Sequence, residues 1–144
     1  MGEIMSDEEW RGFVRAGTRT GKLGVVRADG RPLVVPIWFL LEDDGVIRFQ
    51  TSFDSAKVRA LRHEPRVCLT IDDETPPFSF VLIEALAEVA PDDEAETWRV
   101  ARACAARYMG EARAVEYARR NAVPGECVVE LRVERVIAER DVSA

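Results

Sequence analysis

Residues 48 to 61 read Arg48-Phe-Gln-Thr-Ser-Phe-Asp-Ser-Ala-Lys-Val-Arg-Ala-Leu61. The pattern predicts a β-strand, a short turn and a helix whose first turn carries Lys57. A lysine is unusual there, because the amino end of a helix is the positive end of its dipole and disfavours cations. The free backbone N–H groups at such an end form a natural seat for a phosphate. The placement of Lys57 therefore points to a phosphorylated ligand, and the alternative is a solvated surface lysine without a ligand.

The composition limits the classes of partner. The chain of 144 residues has a formal net charge of −6, and Lys22 and Lys57 are its only lysines. An acidic balance argues against general binding to nucleic acids or acidic membranes, although it leaves room for a local basic pocket. A chain of this length is most simply one domain, covering residues 1–144.

The expected compartment is the cytoplasm. The amino-terminal segment is acidic and lacks the apolar core of a signal peptide. No stretch approaches the roughly 20 apolar residues of a membrane span. The three cysteines, Cys68, Cys104 and Cys127, are odd in number and form no CxxC pair, which predicts buried free thiols in a reducing environment.

Turn signals divide the chain into short segments. Ser6-Asp-Glu-Glu9 predicts a helix with a capping box, and Asp29-Gly30 predicts a hairpin turn. The apolar run from Leu33 to Leu41 predicts a strand covered on both faces. Pro36 cannot donate to a ladder, so the strand is expected to be locally unpaired or bulged there.

The order of segments predicts the fold class. A helix is followed by three strands, a short helix with Lys57, two strands, a helical pair from about Pro91 to Arg120, and a last strand ending near Ile137. Short turns between the first strands require antiparallel pairing. We predict a mainly β (α+β) fold, a closed or half-open antiparallel barrel of about six strands with peripheral helices.

The ordered motifs resemble the pyridoxamine 5′-phosphate oxidase-like family, whose fold is the split β-barrel. Within that family they are most similar to the actinobacterial deazaflavin (coenzyme F420)-dependent oxidoreductases. The motifs, in chain order, are Ala28-Asp-Gly-Arg-Pro32, Val35-Pro-Ile-Trp38, Gln50-Thr-Ser52, Ser55-Ala-Lys-Val-Arg-Ala-Leu61, Glu64-Pro-Arg-Val67, Arg107-Tyr-Met-Gly110 and Arg120-Asn-Ala-Val-Pro-Gly125. The resemblance covers nearly the whole chain and implies a six-stranded antiparallel split β-barrel.

The resemblance also implies a binding site. Lys57 corresponds to the lysine that pairs with the cofactor phosphate, and Thr51, with Gln50 and Ser52, corresponds to the strand end that hydrogen-bonds that phosphate. The strand that lies along the tricyclic ring corresponds to Val35, Pro36, Ile37 and Trp38. The resemblance further implies a homodimer with two cofactor sites between subunits, to which residues 76–80 of the partner would contribute.

Departures from the oxidase pattern change the expected cofactor. This chain has Ser55-Ala56-Lys57 where the oxidases have Ser-Arg-Lys, and their C-terminal Arg-x-His motif is absent. Pyridoxamine 5′-phosphate oxidation is therefore not expected. Weaker binding of FMN is also expected, because one phosphate-binding arginine is missing. F420 has one phosphodiester and an anionic glutamate tail, which Arg59, with Arg62 and Arg66, is placed to receive.

The expected chemistry belongs to the cofactor. A single histidine and scattered serines give no catalytic triad, and the acidic residues 72–74 are interpreted as a solvated loop, so no metal site is expected. The resemblance implies an F420-dependent oxidoreductase that transfers a hydride between the deazaflavin C5 and a conjugated small molecule. Two alternatives are an FMN-binding flavin reductase-like protein and a non-catalytic F420 carrier.

Overall fold

A computed structural model describes residues 2–144 of the chain. The eight strands are β1 (Glu3–Ile4), β2 (Gly21–Val26), β3 (Pro32–Ile37), β4 (Leu40–Leu41), β5 (Val46–Ser52), β6 (Arg66–Asp73), β7 (Ser79–Val89) and β8 (Glu126–Arg140). The four α-helices are α1 (Asp7–Arg15), α2 (Ala56–His63), α3 (Glu94–Met109) and α4 (Ala114–Asn121).

The strands form one antiparallel sheet that curls into a split barrel. Its order is β3-β2-β6-β7-β8-β5-β4, and β1 pairs with β8 beside this path. The predicted mainly β (α+β) fold is confirmed. Five of the six predicted strands correspond to β2, β5, β6, β7 and β8. The sixth, predicted from Leu33 to Leu41, is divided into β3 and the two-residue β4, and the two-residue β1 was not predicted.

Local signals in the sequence set the first elements. Ser6 Oγ accepts a hydrogen bond from the Glu9 backbone N–H (3.2 Å), and the Glu9 carboxylate accepts one from the Ser6 N–H (2.8 Å), so the predicted capping box is confirmed. Gly30 has φ +86° in the β2–β3 hairpin, a conformation that favours glycine and explains the Asp29-Gly30 turn signal.

Two predictions about the apolar run from Leu33 to Leu41 were wrong. Strand β3 lies at the edge of the sheet and alternates between exposed and partly buried residues, with Val34 65% exposed. It is therefore not covered on both faces. Its register with β2 is also unbroken, and Pro36 is paired with Lys22 without a bulge. An edge strand tolerates proline because only one side of it needs ladder hydrogen bonds.

The sheet has a large apolar core on one face and a smaller cluster on the other. Phe39, Phe49 and Leu23 are among the fully buried side chains of the large core. On the other side, Val100 and Cys104 of α3 pack against Val128 of β8. Helix α3 thus covers the part of the sheet where β5 and β8 pair, and this cover forms one wall of the site described below.

Ion pairs fasten α3 to the sheet. Arg48 of β5 contacts Glu42 (3.3 Å), Asp44 (2.8 Å) and Glu130 (2.8 Å). Glu42 also accepts a hydrogen bond from Arg99 of α3 (2.7 Å). The Arg99 guanidinium holds the pKa of Glu42 below its usual value, although partial burial opposes this effect. Glu42 therefore links the β4–β5 turn to the helix.

Two of the three cysteines are buried. Cys104 and Cys127 are buried free thiols as predicted, whereas Cys68 is exposed, because it lies on the outer face of β6. Within residues 2–144, no helix is both long and apolar enough to cross a membrane.

Candidate functional site

A cleft of about 270 Å³ lies where the ends of β3 and β5 meet the start of α2, under the cover of α3 and α4. Both strand ends, the lysine helix and the helical pair therefore contribute to one concave surface. The residues that line the cleft are Pro36, Ile37, Trp38, Gln50, Thr51, Ser52, Lys57, Ala101, Cys104, Asn121 and Glu126.

Lys57 lies in the first turn of α2. Ser55 caps the helix by accepting a hydrogen bond from the Val58 N–H (3.3 Å), and no acidic residue lies in the first turn. Within residues 2–144, Lys57 Nζ has no hydrogen-bond or ion-pair partner. Burial lowers the pKa of Lys57, and the nearby Glu126 carboxylate opposes that shift. Lys57 is thus a half-buried cation whose charge the protein leaves available to a ligand.

The end of β5 offers polar groups on both of its faces. Thr51 is 8% exposed and, by alternation, shares the core-facing side with Phe49, whereas Gln50 and Ser52 lie on the opposite side. Gln50 Nε2 donates to the Asn121 carbonyl (3.0 Å) and to the Glu126 carboxylate. The Gln50 amide is therefore engaged by the protein itself, and the Ser52 hydroxyl is the freer donor beside Lys57.

An aromatic group forms the apolar side of the cleft. The Trp38 ring stacks on Tyr108 of α3, with ring centroids 5.2 Å apart and an interplanar angle of 7°. The Tyr108 hydroxyl donates to the Arg19 carbonyl (2.9 Å). Since both rings are held by these contacts, the wall beside Pro36 and Ile37 is preorganised.

Arg107, the neighbour of Tyr108, fixes the underlying loops. Its guanidinium donates to the carbonyls of Val14 (2.6 Å), Phe39 (2.8 Å) and Gly17 (3.1 Å). Burial lowers the pKa of Arg107. One half-buried side chain thus joins the end of α1, the following turn and the segment after β3.

Two of the predicted site residues lie outside the cleft. Val35 pairs with Leu23 of β2 and packs against the large core, because alternation turns it away from Pro36. The Arg59 guanidinium donates to the Asp54 carbonyl (2.5 Å) on the solvent side of α2. The other seven predicted residues line the cleft together.

The two other arginines proposed for the anionic tail have partners of their own. Arg62 lies over the Phe53 ring, 3.8 Å from its centroid. Arg66 forms an ion pair with Glu64. Neither arginine lines the cleft.

Sequence reasoning missed four lining residues, all of them from the C-terminal half: Ala101, Cys104, Asn121 and Glu126. The motif that ends in Pro124-Gly125 marked this region, but only the pairing of β5 with β8 brings it to the cleft. Burial raises the pKa of the Cys104 thiol to about 12, so it stays protonated at neutral pH and is a poor nucleophile.

The chemistry of the cleft fits a phosphorylated cofactor with a flat ring. A half-buried cation without a protein partner and two hydroxyl residues suit a phosphate group. The apolar stretch from Pro36 to Trp38 suits a ring system. Lys57, Thr51 and Ser52 would hold the phosphate, and residues 36–38 would border the ring.

Comparison with known proteins shows the family. The pyridoxamine 5′-phosphate oxidase family matches residues 6–139, so the chain belongs to that family. A conserved hypothetical protein of Mycobacterium tuberculosis is similar in structure, with 27% identity and a TM-score of 0.81 over 98% of this chain and 89% of that one. A comparison with curated proteins gave no match.

More distant solved structures share the fold. One is an F420 reductase, with 22% identity and a TM-score of 0.66 over 87% of this chain and 94% of that one. Another is the heme storage protein HutZ of Vibrio cholerae, with 20% identity and a TM-score of 0.70 over 92% of this chain and 94% of that one. These similarities show the fold, and proteins of this fold bind chemically different cofactors.

Proposed function

We propose that the chain is an F420-dependent oxidoreductase that transfers a hydride between the deazaflavin and a conjugated small molecule. The observation that carries this proposal is the position of Lys57, an unpaired half-buried cation, in one cleft with Ser52 and the apolar residues 36–38. Membership of the family and the likeness to an F420 reductase support the same class of cofactor.

The residues of the cleft have separate roles in this proposal. When bound, F420 supplies or accepts the hydride at C5 of its ring. Lys57, Thr51 and Ser52 hold the phosphate and so place the ring against Trp38, which excludes water from one side. Cys104 stays protonated and takes no part in proton transfer at neutral pH. Since Lys57 is assigned to the phosphate and Glu126 accepts a hydrogen bond from Gln50, the proton that completes the reduction comes from solvent.

We propose further that the protein works as a homodimer. Val26, Val34, Leu86 and Ile137 are exposed apolar residues on the outer face of the sheet. The strand registers place them on the same face, on β3, β2, β7 and β8, with the exposed Arg66 and Cys68 of β6 between the two pairs of strands. We call this group the outer apolar patch, and exposed patches of this kind mark interaction sites. Pro36 shares the outward side of β3 with Val34 and also lines the cleft, so a second subunit on the patch would border the site.

A direct binding experiment tests the proposed cofactor. Oxidised F420 and FMN are titrated in parallel against the intrinsic tryptophan fluorescence, to which Trp38 in the cleft contributes. The proposal expects saturable F420 binding at micromolar concentrations and weaker FMN binding. Saturation by FMN alone would favour the flavin reductase-like alternative, and no saturation by either ligand would refute a cofactor site in this cleft.

An activity experiment separates an enzyme from a carrier. Protein that binds F420 is mixed with reduced F420 and a panel of quinones and enones, and oxidation of the deazaflavin is followed by absorbance. Turnover of at least one acceptor supports the oxidoreductase. Tight binding with no turnover across the panel would support the non-catalytic carrier instead.

A further inference from the structure

Glu126 places a carboxylate in the same cleft as the phosphate-binding lysine. Its backbone is paired with Ser52 in the β5–β8 ladder, and its carboxylate accepts a hydrogen bond from Gln50 Nε2. These two contacts fix the side chain at the polar end of the cleft. A site built only to attract anions would have no use for a carboxylate at this place.

The charges of the cleft nearly cancel. Among its lining residues, Lys57 is the only cation and Glu126 is the only anion. On its other side Glu126 lines a second cavity, which contains Asp92 and Glu94 and no basic residue. Arg62, which is not among the lining residues, is engaged with the Phe53 ring. With one cation and one anion, the ionised lining residues of the cleft carry no net charge.

The balance between the Lys57 and Glu126 charges affects phosphomonoesters and phosphodiesters differently. A phosphomonoester, such as that of FMN, carries between one and two negative charges near neutral pH, about −1.5 to −2. A phosphodiester, such as that of F420, carries a single negative charge. Lys57 attracts and Glu126 repels each ligand charge, so the net Coulomb attraction grows only in proportion to the ligand charge. The cost of taking the ligand charge out of water grows faster, with the square of that charge. A doubly charged group therefore needs a second cation, which is absent from the lining of the cleft.

The pKa shifts agree with this geometry. Burial raises the pKa of Glu126, and Lys57 opposes the shift. Burial in turn lowers the pKa of Lys57. Both groups are thus partly removed from water. At such a partly buried position, salt screens their interaction with a ligand less than it would at an exposed surface.

We propose that Glu126 is the specificity-determining residue of this cleft, and that it admits a singly charged phosphodiester while it disfavours a doubly charged phosphomonoester. The inference rests on the proposed function, because it assumes that the cleft binds the phosphate of a flavin-like cofactor. It goes further in assigning the discrimination to one carboxylate.

The test compares Glu126→Gln with the wild-type protein. Glutamine keeps the size of the side chain and an oxygen that can accept from Gln50, and it removes the charge. Glu134→Gln is the control, because it removes the same charge from an exposed position on the same strand. Kd values for FMN, F420 and riboflavin, which has no phosphate, are measured by tryptophan fluorescence at one ionic strength.

We expect Glu126→Gln to strengthen FMN binding by about tenfold or more. F420 binding should strengthen less, and riboflavin binding should be unchanged. Glu134→Gln should leave all three Kd values close to those of the wild type. Circular dichroism and urea unfolding of both variants confirm that the fold is retained.

Two results would overturn the inference while leaving the proposed function intact. One is an unchanged FMN Kd in Glu126→Gln, and the other is an equal gain for FMN and riboflavin, which would indicate a steric effect. Failure of the proposed function is distinct, because it is read from the wild-type protein alone, which would then not bind F420.

Discussion

At the scale of single residues, the proposed site depends most on Lys57. Its half-buried amino group has no protein partner within residues 2–144, whereas Lys22, the other lysine, forms an ion pair with Asp72 (2.9 Å) outside the cleft. Holding a partly desolvated charge without a partner is unfavourable for the protein alone. An anionic ligand removes that cost. Lys57 therefore contributes more to the binding of an anion than to the stability of the unliganded protein.

We expect Lys57→Ala to weaken F420 binding by at least about tenfold, because a charge-assisted hydrogen bond contributes roughly 1.5–3 kcal/mol. The Kd is measured by fluorescence titration at constant ionic strength. Lys22→Ala is the matched control and should leave the Kd unchanged. If both variants bind F420 like the wild type, the phosphate is not held at the start of α2.

Arg107 is a residue that stabilises the fold beneath the site. Replacement by methionine leaves the carbonyls of Val14, Gly17 and Phe39 without their donor. We expect Arg107→Met to lower the free energy of unfolding by about 2–4 kcal/mol. The measurement is equilibrium unfolding in urea at a fixed protein concentration.

Arg102→Met on the same helix is the control for Arg107. Arg102 forms one surface ion pair with Glu111 (2.7 Å), and such pairs contribute less than about 1 kcal/mol. Equal losses of stability in the two variants would show that the three carbonyl contacts of Arg107 add nothing beyond a surface charge.

At the scale of elements, β2 shows how closely a strand can approach the core. A Cβ atom added at Gly21 would lie 2.6 Å from Leu69 Cδ1 and 3.1 Å from Phe39 Cδ1. Leu69 and Phe39 are fully buried and have little room to move. We expect Gly21→Ala to destabilise the protein by about 1–3 kcal/mol through overpacking, measured as a shift of the urea midpoint.

Gly24 of the same strand supplies the comparison for Gly21. An added Cβ there meets no atom closer than 3.8 Å. Gly24→Ala should therefore be neutral or raise the stability by up to about 1 kcal/mol, because alanine restricts the unfolded chain. A loss at position 24 as large as that at position 21 would contradict the packing explanation.

Elements with local causes could be predicted from the sequence. The start of α1, the Asp29-Gly30 hairpin and the lysine helix α2 each depend on residues within four positions of one another. The position of β3 in the sheet could not be predicted, because its apolar residues do not show whether another strand or a helix covers them. Its place at the edge of the sheet depends on the partners of other strands.

The same distinction applies to the site. Gln50 and Lys57 are close in sequence and were predicted together, whereas Asn121 and Glu126 reach Gln50 across 71 and 76 positions. No local pattern reports that contact, since it follows from the register of β5 with β8. The residues proposed to bind the phosphate could thus be named from the sequence, and the carboxylate beside them could not.

At the scale of the whole molecule, the outer apolar patch gives the proposed dimer a test. Val34→Asp puts a charge at the most exposed residue of the patch, and burying an unpaired charge is costly. We expect a shift from dimer to monomer, measured by size-exclusion chromatography with light scattering over a range of concentrations. F420 binding should weaken in parallel, because the partner would border the cleft.

Val115→Asp tests whether any exposed valine has this effect. Val115 lies on α4 and is 40% exposed. This variant should keep the wild-type mass. A monomeric wild-type protein at the highest concentration, or equal masses for both variants, would rule out the patch as the dimer contact.

Strand β8 has a consequence for the way the chain is synthesised. It pairs with β1, β5 and β7, all of which precede it in the sequence. While the ribosome translates residues 2–125, β5 and β7 each keep one side without hydrogen bonds, and open strand edges invite pairing with other chains. The nascent protein can therefore close its sheet only after residues 126–140 leave the ribosome, and the same strand delivers Glu126 to the cleft at that moment.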